Sequence, residues 1–157
     1  MFLIYIPSIG VNFKYKMLDH DSNKVKIQIW DTAGADNSNP LLKIYYKKAS
    51  AIILMFSLED IQSFDGIHTW MQHLQANADP GTFVFLVGNK CESDNRIVEM
   101  SEIKELQNKY NIEKYIETSV KDGVNVNETF IEILREIEER KNNSKSDIKE
   151  VAQPGNY

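Results

Sequence analysis

The chain has 157 residues, of which 42% are hydrophobic, as expected of one globular domain with a single core. Acidic residues (23) outnumber basic ones (18), and the formal charge of -5 argues against a general nucleic-acid-binding protein. One cysteine, Cys91, excludes an internal disulfide framework and fits a reducing compartment. No apolar run approaches the ~20 residues of a membrane-spanning helix, and the apolar start is too short for a signal peptide.

In chain order, strand and helix patterns alternate, which predicts a parallel sheet covered on both faces. The predicted strands are residues 11–18, 24–30, 51–58, 83–87 and 114–118, the first two forming an antiparallel hairpin. The predicted helices are residues 61–78, 101–110 and 125–141. We expect the folded domain to span residues 1–141. Residues 142–157, rich in Ser, Lys, Asp and Glu, are predicted to form a disordered tail.

The second predicted strand ends in Asp31-x-x-Gly34, a motif suited to sensing a phosphate group. The carboxylate of Asp31 can hold a metal ion through water. Gly34 lets its backbone N–H approach a phosphate oxygen with no Cβ in the way. Short Asp/Gly strand ends are also common turns, so the motif gains weight only from its context.

Three further segments supply that context: Ser8-Ile9-Gly10-Val11-Asn12-Phe13, Val87-Gly88-Asn89-Lys90-Cys91-Glu92 and Glu117-Thr118-Ser119-Val120-Lys121. In this order and at these separations, the segments resemble those of Rab-family small GTPases of the Ras superfamily. The resemblance runs from about Tyr5 to Lys141. It implies a P-loop NTPase-like α/β fold, a three-layer sandwich whose mostly parallel sheet includes one antiparallel hairpin strand.

The family's first strand, Gly-rich phosphate loop and first helix normally precede the position of Ser8. No Gly-x-x-x-x-Gly-Lys-[Ser/Thr] motif occurs in this sequence. We therefore expect an N-terminally truncated domain in which these three elements are missing. The loss of a central strand leaves backbone N–H and C=O groups without hydrogen-bond partners, and each such group costs roughly 1 to 3 kcal/mol. Either residues 2–6 fill the vacant position, or the sequence is a truncated gene model or a poorly folding product.

Two segments resemble the loops with which the family recognises guanine. Asn89, Lys90 and Glu92 match a motif in which an Asn amide and a carboxylate read the base edge while the Lys stem lies along the ring. The family has Asp where this chain has Glu92, and the extra methylene moves the carboxylate outward by about 1.5 Å. The last base-contacting loop is matched by Ser119, Val120 and Lys121. For both segments, a structural turn after a strand is the alternative.

The resemblance also implies GTP or GDP with Mg²⁺, because Ser8 takes the place of the switch Thr that reaches the metal together with Asp31. An ordinary turn before a strand is the alternative for Ser8. Where the family has a water-orienting Gln, this chain has Ala35, which offers neither donor nor acceptor. Asp36 is a poor substitute because a triphosphate repels a carboxylate. We predict no catalytic residue and GTP turnover at or below background, so whether the chain is an enzyme stays open.

The family's effector-binding surface is matched by Ile9, Phe13, Trp30 and Tyr45, the last three forming its aromatic triad, and core packing is the alternative. No cysteine follows Cys91, so we expect no lipid anchor. We predict a cytoplasmic monomer that reaches endomembranes through a partner. The resemblance implies a regulator of vesicle traffic that binds effector and exchange proteins and no nucleic acid. The alternatives are a nucleotide-independent interaction module (a pseudo-GTPase) and a non-functional fragment.

Overall fold

The computed structural model of the chain describes residues 2–5, 11–20, 23–32, 40–80 and 82–151. The strands are β1 (Phe2–Tyr5), β2 (Val11–His20), β3 (Asn23–Thr32), β4 (Ala51–Ser57), β5 (Phe83–Asn89) and β6 (Lys114–Thr118). The helices are α1 (Pro40–Lys48), α2 (Ile61–Asn77), α3 (Met100–Tyr110) and α4 (Val126–Val151). Strands and helices alternate after the hairpin, as the sequence predicts.

The strands form one sheet in the order β2-β3-β1-β4-β5-β6. All neighbouring pairs are parallel except β2 and β3, which form the antiparallel hairpin at one edge. Because parallel strands point the same way, the carboxyl ends of β1, β3, β4, β5 and β6 meet at one edge of the sheet. In open α/β sheets this edge is where ligands bind. The predicted fold class is confirmed.

Two apolar clusters lie on the two faces of the sheet. The first contains Leu54 and Leu86 of the sheet together with buried residues of α1, α2 and α3. The second contains Ile53 and Phe85, whose side chains point to the opposite face, together with Phe130, Ile133 and Leu134 of α4. Strands β4 and β5 are therefore buried on both faces by helices. Because both faces are covered, apolar and polar residues do not alternate along their sequences.

The expected gap at the position of the family's first strand is filled by the N-terminal residues of this chain, which is one of the alternatives that the sequence leaves open. Strand β1 lies between β3 and β4, parallel to both, with Ile4 in register with Asp31 on one side and Ile53 on the other. Tyr5 and Val11 are both in register with Thr32, from its two sides.

Two further differences concern helices. Helix α4 continues to Val151, past residue 142 where the sequence predicts a disordered tail, because no Gly or Pro interrupts the chain before Pro154. Helix α1 has no predicted bounds, since nine residues beginning with Pro40 give little periodicity. The hairpin strands also pair further than predicted, to His20 and Asn23.

Candidate functional site

Asn89 is the last residue of β5, and its side chain ties that strand to the loop after β6. The backbone N–H of Val120 donates to Asn89 Oδ1 at 3.2 Å, and the Thr118 hydroxyl donates to the same oxygen at 3.1 Å. A backbone N–H can only donate, so the amide oxygen must face this loop. The NH₂ group of Asn89 is thereby directed away from the loop as a donor, which is the group that a base acceptor requires.

The loop after β6 is built by its own hydrogen bonds. Ser119 is fully buried; its N–H donates to Val124 O at 3.1 Å, and its Oγ accepts from Asp122 N at 3.0 Å. The Asn125 side chain donates to Glu117 O at 2.8 Å. These bonds fix the backbone of the exposed Val120 and Lys121. Together with the bond from Val120 N–H to Asn89, they bring the loop after β6 beside the end of β5.

Lys90, the residue after Asn89, has a left-handed backbone conformation with φ of 68°. Its Nζ lies 2.6 Å from Glu59 Oε2, and the Ser93 hydroxyl donates to Glu59 Oε1. Hydrogen bonds from Lys90 and then Ser93 lower the pKa of Glu59, and the Glu59 carboxylate raises the pKa of Lys90. The carboxylate therefore holds the end of the Lys90 side chain at a fixed place beside the loops.

Replacing Glu59 with Gln is expected to make thermal stability less dependent on acid pH. The folded pKa of Glu59 lies below its ordinary value of 4.5, so its ion pair stabilises the fold above that pH. This stabilisation is lost as the pH falls through the folded pKa. We expect Glu59→Gln to lower the melting temperature at pH 7 and the difference from wild type to shrink toward pH 3. Ser93→Ala, which removes one partner, should give a smaller effect; a difference independent of pH would contradict the assignment.

Glu92 lies beside the same loop. Its pKa is lowered first by a hydrogen bond from Ser119, then by a backbone N–H, with a smaller contribution from the charge of Lys121. Its Oε2 is buried and has no hydrogen-bond partner. A buried carboxylate oxygen without a partner carries a desolvation cost. Of the six residues predicted for base recognition, Asn89 ends β5 and the other five lie in the loops after β5 and β6.

Gly88 precedes Asn89 at a point where the sheet has no room for a side chain. A Cβ there would lie 2.6 Å from the Tyr115 hydroxyl and 3.1 Å from Leu58 Cδ2. That hydroxyl donates to Glu117 Oε1 at 2.9 Å, and Arg96 holds Glu117 with two further bonds of 3.0 and 2.9 Å. A partly buried ion pair and a tyrosine hydroxyl thus hold Glu117 at the end of β6.

Gly88→Ala is expected to lower the free energy of unfolding by about 1 to 3 kcal/mol, because the methyl group must displace Tyr115 from Glu117. The matched control is Gly66→Ala in α2, where a Cβ meets nothing within 4 Å and helix propensity favours Ala by up to about 1 kcal/mol. Urea unfolding measures both. Equal effects of the two substitutions would contradict the close packing at Gly88.

The phosphate side of the predicted site is described only in part. Asp31 lies at the carboxyl end of β3 and is half-buried, on the same edge of the sheet as Asn89. Ser8, Ile9, Gly34 and Ala35 lie outside the described residues. Within the described ranges, no group of three His, Cys, Asp or Glu side chains is arranged to hold a metal ion. The proposed Mg²⁺ site at Ser8 and Asp31 therefore stays a prediction.

The three aromatic residues predicted to bind effectors form a continuous row. The ring centroids of Phe13 and Trp30 are 4.7 Å apart, and those of Trp30 and Tyr45 are 5.0 Å apart. Trp30 and Tyr45 pack partly against the first core cluster, whereas Phe13 is 46% exposed. The row therefore runs from the core to the surface.

Sequence reasoning missed Glu59 and Ser93, which belong to no motif, and it gave no role to Thr118 within the segment from Glu117 to Lys121. A signal for Glu59 was available: it comes two residues after the end of β4, and the strand order places β4 beside β5. Thr118 is likewise the last residue of β6, in register with Asn89. Residues at the ends of neighbouring parallel strands are candidates even when no motif names them.

The fold and these loops define a doubly wound α/β domain with a ligand site at the carboxyl ends of its strands. The family model described as "Ras family" matches residues 3–139. The GTP-binding protein ypt2 of Schizosaccharomyces pombe is 33% identical over 149 residues, which cover 94% of this chain and 74% of that protein. GTP-binding protein ypt1 of the same yeast is 38% identical, with 89% and 69% covered. Ras-related protein Rab-8B of Dictyostelium discoideum is 35% identical, with 87% and 67% covered.

The chain belongs to the Rab family of small GTPases within the Ras family, as the sequence predicts. Among the described residues, no helix combines the length and apolar content needed to cross a membrane.

Proposed function

We propose that this Rab-like chain binds guanine nucleotide through the loops after β5 and β6. The observation that carries the proposal is the orientation of the Asn89 amide, whose oxygen is held by Val120 N–H and the Thr118 hydroxyl so that its NH₂ group faces outward. Glu92 would accept from the base edge after its carboxylate turns outward, because its Oε2 is buried beside the loop. The Lys90 stem would lie along the ring, with Lys121 nearby.

The rest of the nucleotide would extend along the carboxyl edge of the sheet toward β3. Three strand spacings, about 14 Å, separate β5 from β3, a span that fits an extended nucleoside diphosphate or triphosphate. Asp31 and Ser8 would hold Mg²⁺ there, and Gly34 would donate its N–H to a phosphate oxygen. When bound, Mg²⁺ would neutralise phosphate charge.

Binding by these 157 residues is expected to be weak. The sequence has no Gly-x-x-x-x-Gly-Lys-[Ser/Thr] motif, and the corresponding loss of at least three charge-assisted bonds, each roughly 1.5 to 3 kcal/mol, weakens binding by at least about a thousandfold. With Ala35 at the position of the water-orienting Gln, GTP turnover is expected at or below background.

Calorimetry with GTP, GDP and ATP in the presence of Mg²⁺ tests the proposal, after circular dichroism has established that the chain is folded. Micromolar or tighter binding of GDP that ATP does not displace supports it. A folded chain that binds neither guanine nucleotide contradicts it. A rate of GTP hydrolysis above background that Asp31→Ala abolishes would overturn the expected lack of turnover.

We further propose a role in vesicle traffic at endomembranes, reached through effector and exchange proteins, as the Rab and Ypt relatives suggest. The observation favouring partner binding is the row of Phe13, Trp30 and Tyr45, which ends at an exposed ring. Its three residues lie in β2, β3 and α1, outside the loops after β5 and β6. A nucleotide-independent interaction module is therefore the second candidate function, and it would stand if calorimetry detected no binding.

A further inference from the structure

Glu92 is the residue whose carboxylate is expected to read the edge of the base, yet that carboxylate is turned into the protein. Its side chain is half-buried, and its Oε2 is enclosed without a hydrogen-bond partner. The carboxylate accepts hydrogen bonds from the Ser119 hydroxyl and from a backbone N–H. It therefore lies against the loop after β6, where it contributes to the structure of that loop.

Ser119 holds Glu92 from a place that water does not reach. Ser119 is 0% exposed, and its Oγ accepts from Asp122 N at 3.0 Å. A serine hydroxyl has one hydrogen to donate, and this one goes to Glu92. If the Glu92 carboxylate turned toward a ligand, the hydroxyl would lose its acceptor, and a buried donor without an acceptor is costly. The bond from Ser119 therefore opposes an outward turn of Glu92.

Asn89 is held in the opposite sense, ready to meet a ligand. Val120 N–H and the Thr118 hydroxyl occupy its Oδ1, so its NH₂ group is directed away from the loop as a donor. Such a donor reads an acceptor of the base, and the outer edge of guanine presents two acceptors, O6 and N7. Hypoxanthine has both of them as well. The two bases differ in the 2-amino group of guanine, which is a donor and requires an acceptor such as a carboxylate.

We propose that this site binds 6-oxopurine nucleotides as a class and distinguishes guanine poorly from hypoxanthine. The Asn89 amide reads acceptors that both bases carry. Reading the 2-amino group requires Glu92 to give up its bonds to Ser119 and to the backbone, so the gain at the base is offset by a loss within the loop. The inference rests on the proposed binding of guanine nucleotide by the loops after β5 and β6, and it defines the substrate class of that site.

Adenine nucleotides are expected to be rejected by the same site. Adenine has a 6-amino donor where guanine and hypoxanthine have the O6 acceptor, so the NH₂ group of Asn89 would face a second donor. A site built around a fixed polar group rejects a ligand that leaves that group unmatched. Selectivity against adenine therefore depends on Asn89, whereas selectivity against hypoxanthine depends on Glu92.

The test compares GDP, inosine diphosphate and ADP by calorimetry with Mg²⁺ on the folded 157-residue chain. We expect the Kd values of GDP and inosine diphosphate to lie within about fivefold of each other, and ADP to displace neither. A larger preference for GDP overturns the inference and leaves the proposed binding of guanine nucleotide intact. Binding of neither GDP nor inosine diphosphate, or displacement of both by ADP, overturns the two proposals together.

Ser119→Ala tests whether the bond to Ser119 is what keeps Glu92 from the base. Without the hydroxyl the carboxylate is free to turn outward, so the preference for GDP over inosine diphosphate is expected to rise at least about tenfold. A general loosening of the loop affects both nucleotides and cancels in this ratio. Adding Glu92→Ala to Ser119→Ala is expected to return the ratio to its wild-type value.

Thr129→Val is the matched control, with thermal unfolding to establish that each variant is folded. It removes another buried hydroxyl, which donates to Asn125 O at 2.7 Å, while Asn125 in turn holds Glu117 O near the same loop. We expect lower stability and an unchanged ratio, because Glu92 keeps its bond to Ser119. A ratio that Ser119→Ala leaves unchanged, or that Thr129→Val raises equally, overturns the role assigned to Ser119 and Glu92.

Discussion

Removal of residues 1–6 is expected to leave a chain that does not fold. Strand β1 is flanked by β3 and β4, and its loss exposes a row of backbone N–H and C=O groups on each of them. Each group left without a partner in the interior costs roughly 1 to 3 kcal/mol, and together they exceed a typical domain stability of about 5 to 15 kcal/mol. Circular dichroism and thermal unfolding measure the outcome. A shortened chain with an unchanged melting temperature would exclude β1 from the sheet.

A substitution within β1 separates strand pairing from the mere loss of six residues. Ile4 is in register with both Asp31 and Ile53, so Ile4→Pro removes a ladder hydrogen bond in the middle of the sheet, where Pro is not tolerated. We expect loss of the cooperative thermal transition. The control at the same position, Ile4→Val, keeps the backbone donor and is expected to cost at most about 1.5 kcal/mol.

Asn89→Asp is expected to abolish most guanine-nucleotide binding while leaving the fold intact. The new carboxylate still accepts from Val120 N–H and the Thr118 hydroxyl, so the connection between the two loops survives. The NH₂ donor becomes an acceptor that opposes the base acceptor. We expect a loss of about a hundredfold in GDP affinity, or roughly 2.7 kcal/mol, measured by calorimetry.

Asn89→Ala provides the comparison that separates recognition from loop structure. It removes the donor and also leaves Val120 N–H and the Thr118 hydroxyl without their acceptor, so stability is expected to fall as well as affinity. Unchanged GDP binding in Asn89→Asp would show that the amide does not read the base. Equal losses of stability in the two variants would show that the bonds to Val120 and Thr118 do not hold the loops together.

Those elements whose signal is strong and local could be predicted from the sequence. The buried strands at 51–58 and 83–87 have continuous apolar runs, and the helix at 61–78 has one apolar stripe, so their existence followed from periodicity. The order of strands in a parallel sheet then placed Asn89 and Thr118 side by side. The candidate site was predicted from several motifs that occur in the family's order, although each motif is weak alone.

Features that depend on tertiary context were beyond the sequence. Strand β1 has four residues, too few to show any periodicity, so the sequence offered its place between β3 and β4 only as one of several alternatives. The bond between Glu59 and Lys90 joins residues far apart in the chain. Whether Phe13 belonged to the core or the surface was equally undecidable, because an aromatic residue in an edge strand suits both. Its exposure is decided by the absence, among the described elements, of a helix over that half of the sheet.

The central place of β1 also governs the order in which this chain can refold. The β2–β3 hairpin pairs residues that are close in sequence, as near as His20 and Asn23. By contrast, β1 gains its second neighbour only after β4 has been brought alongside, a slower closure that joins residues 2–4 to residues 51–53. Until then β1 and β4 each present an unpaired strand edge. Any apolar strand from another molecule competes for these edges. Refolding yield is therefore expected to fall as protein concentration rises, because the first strands of other molecules compete with the chain's own first strand.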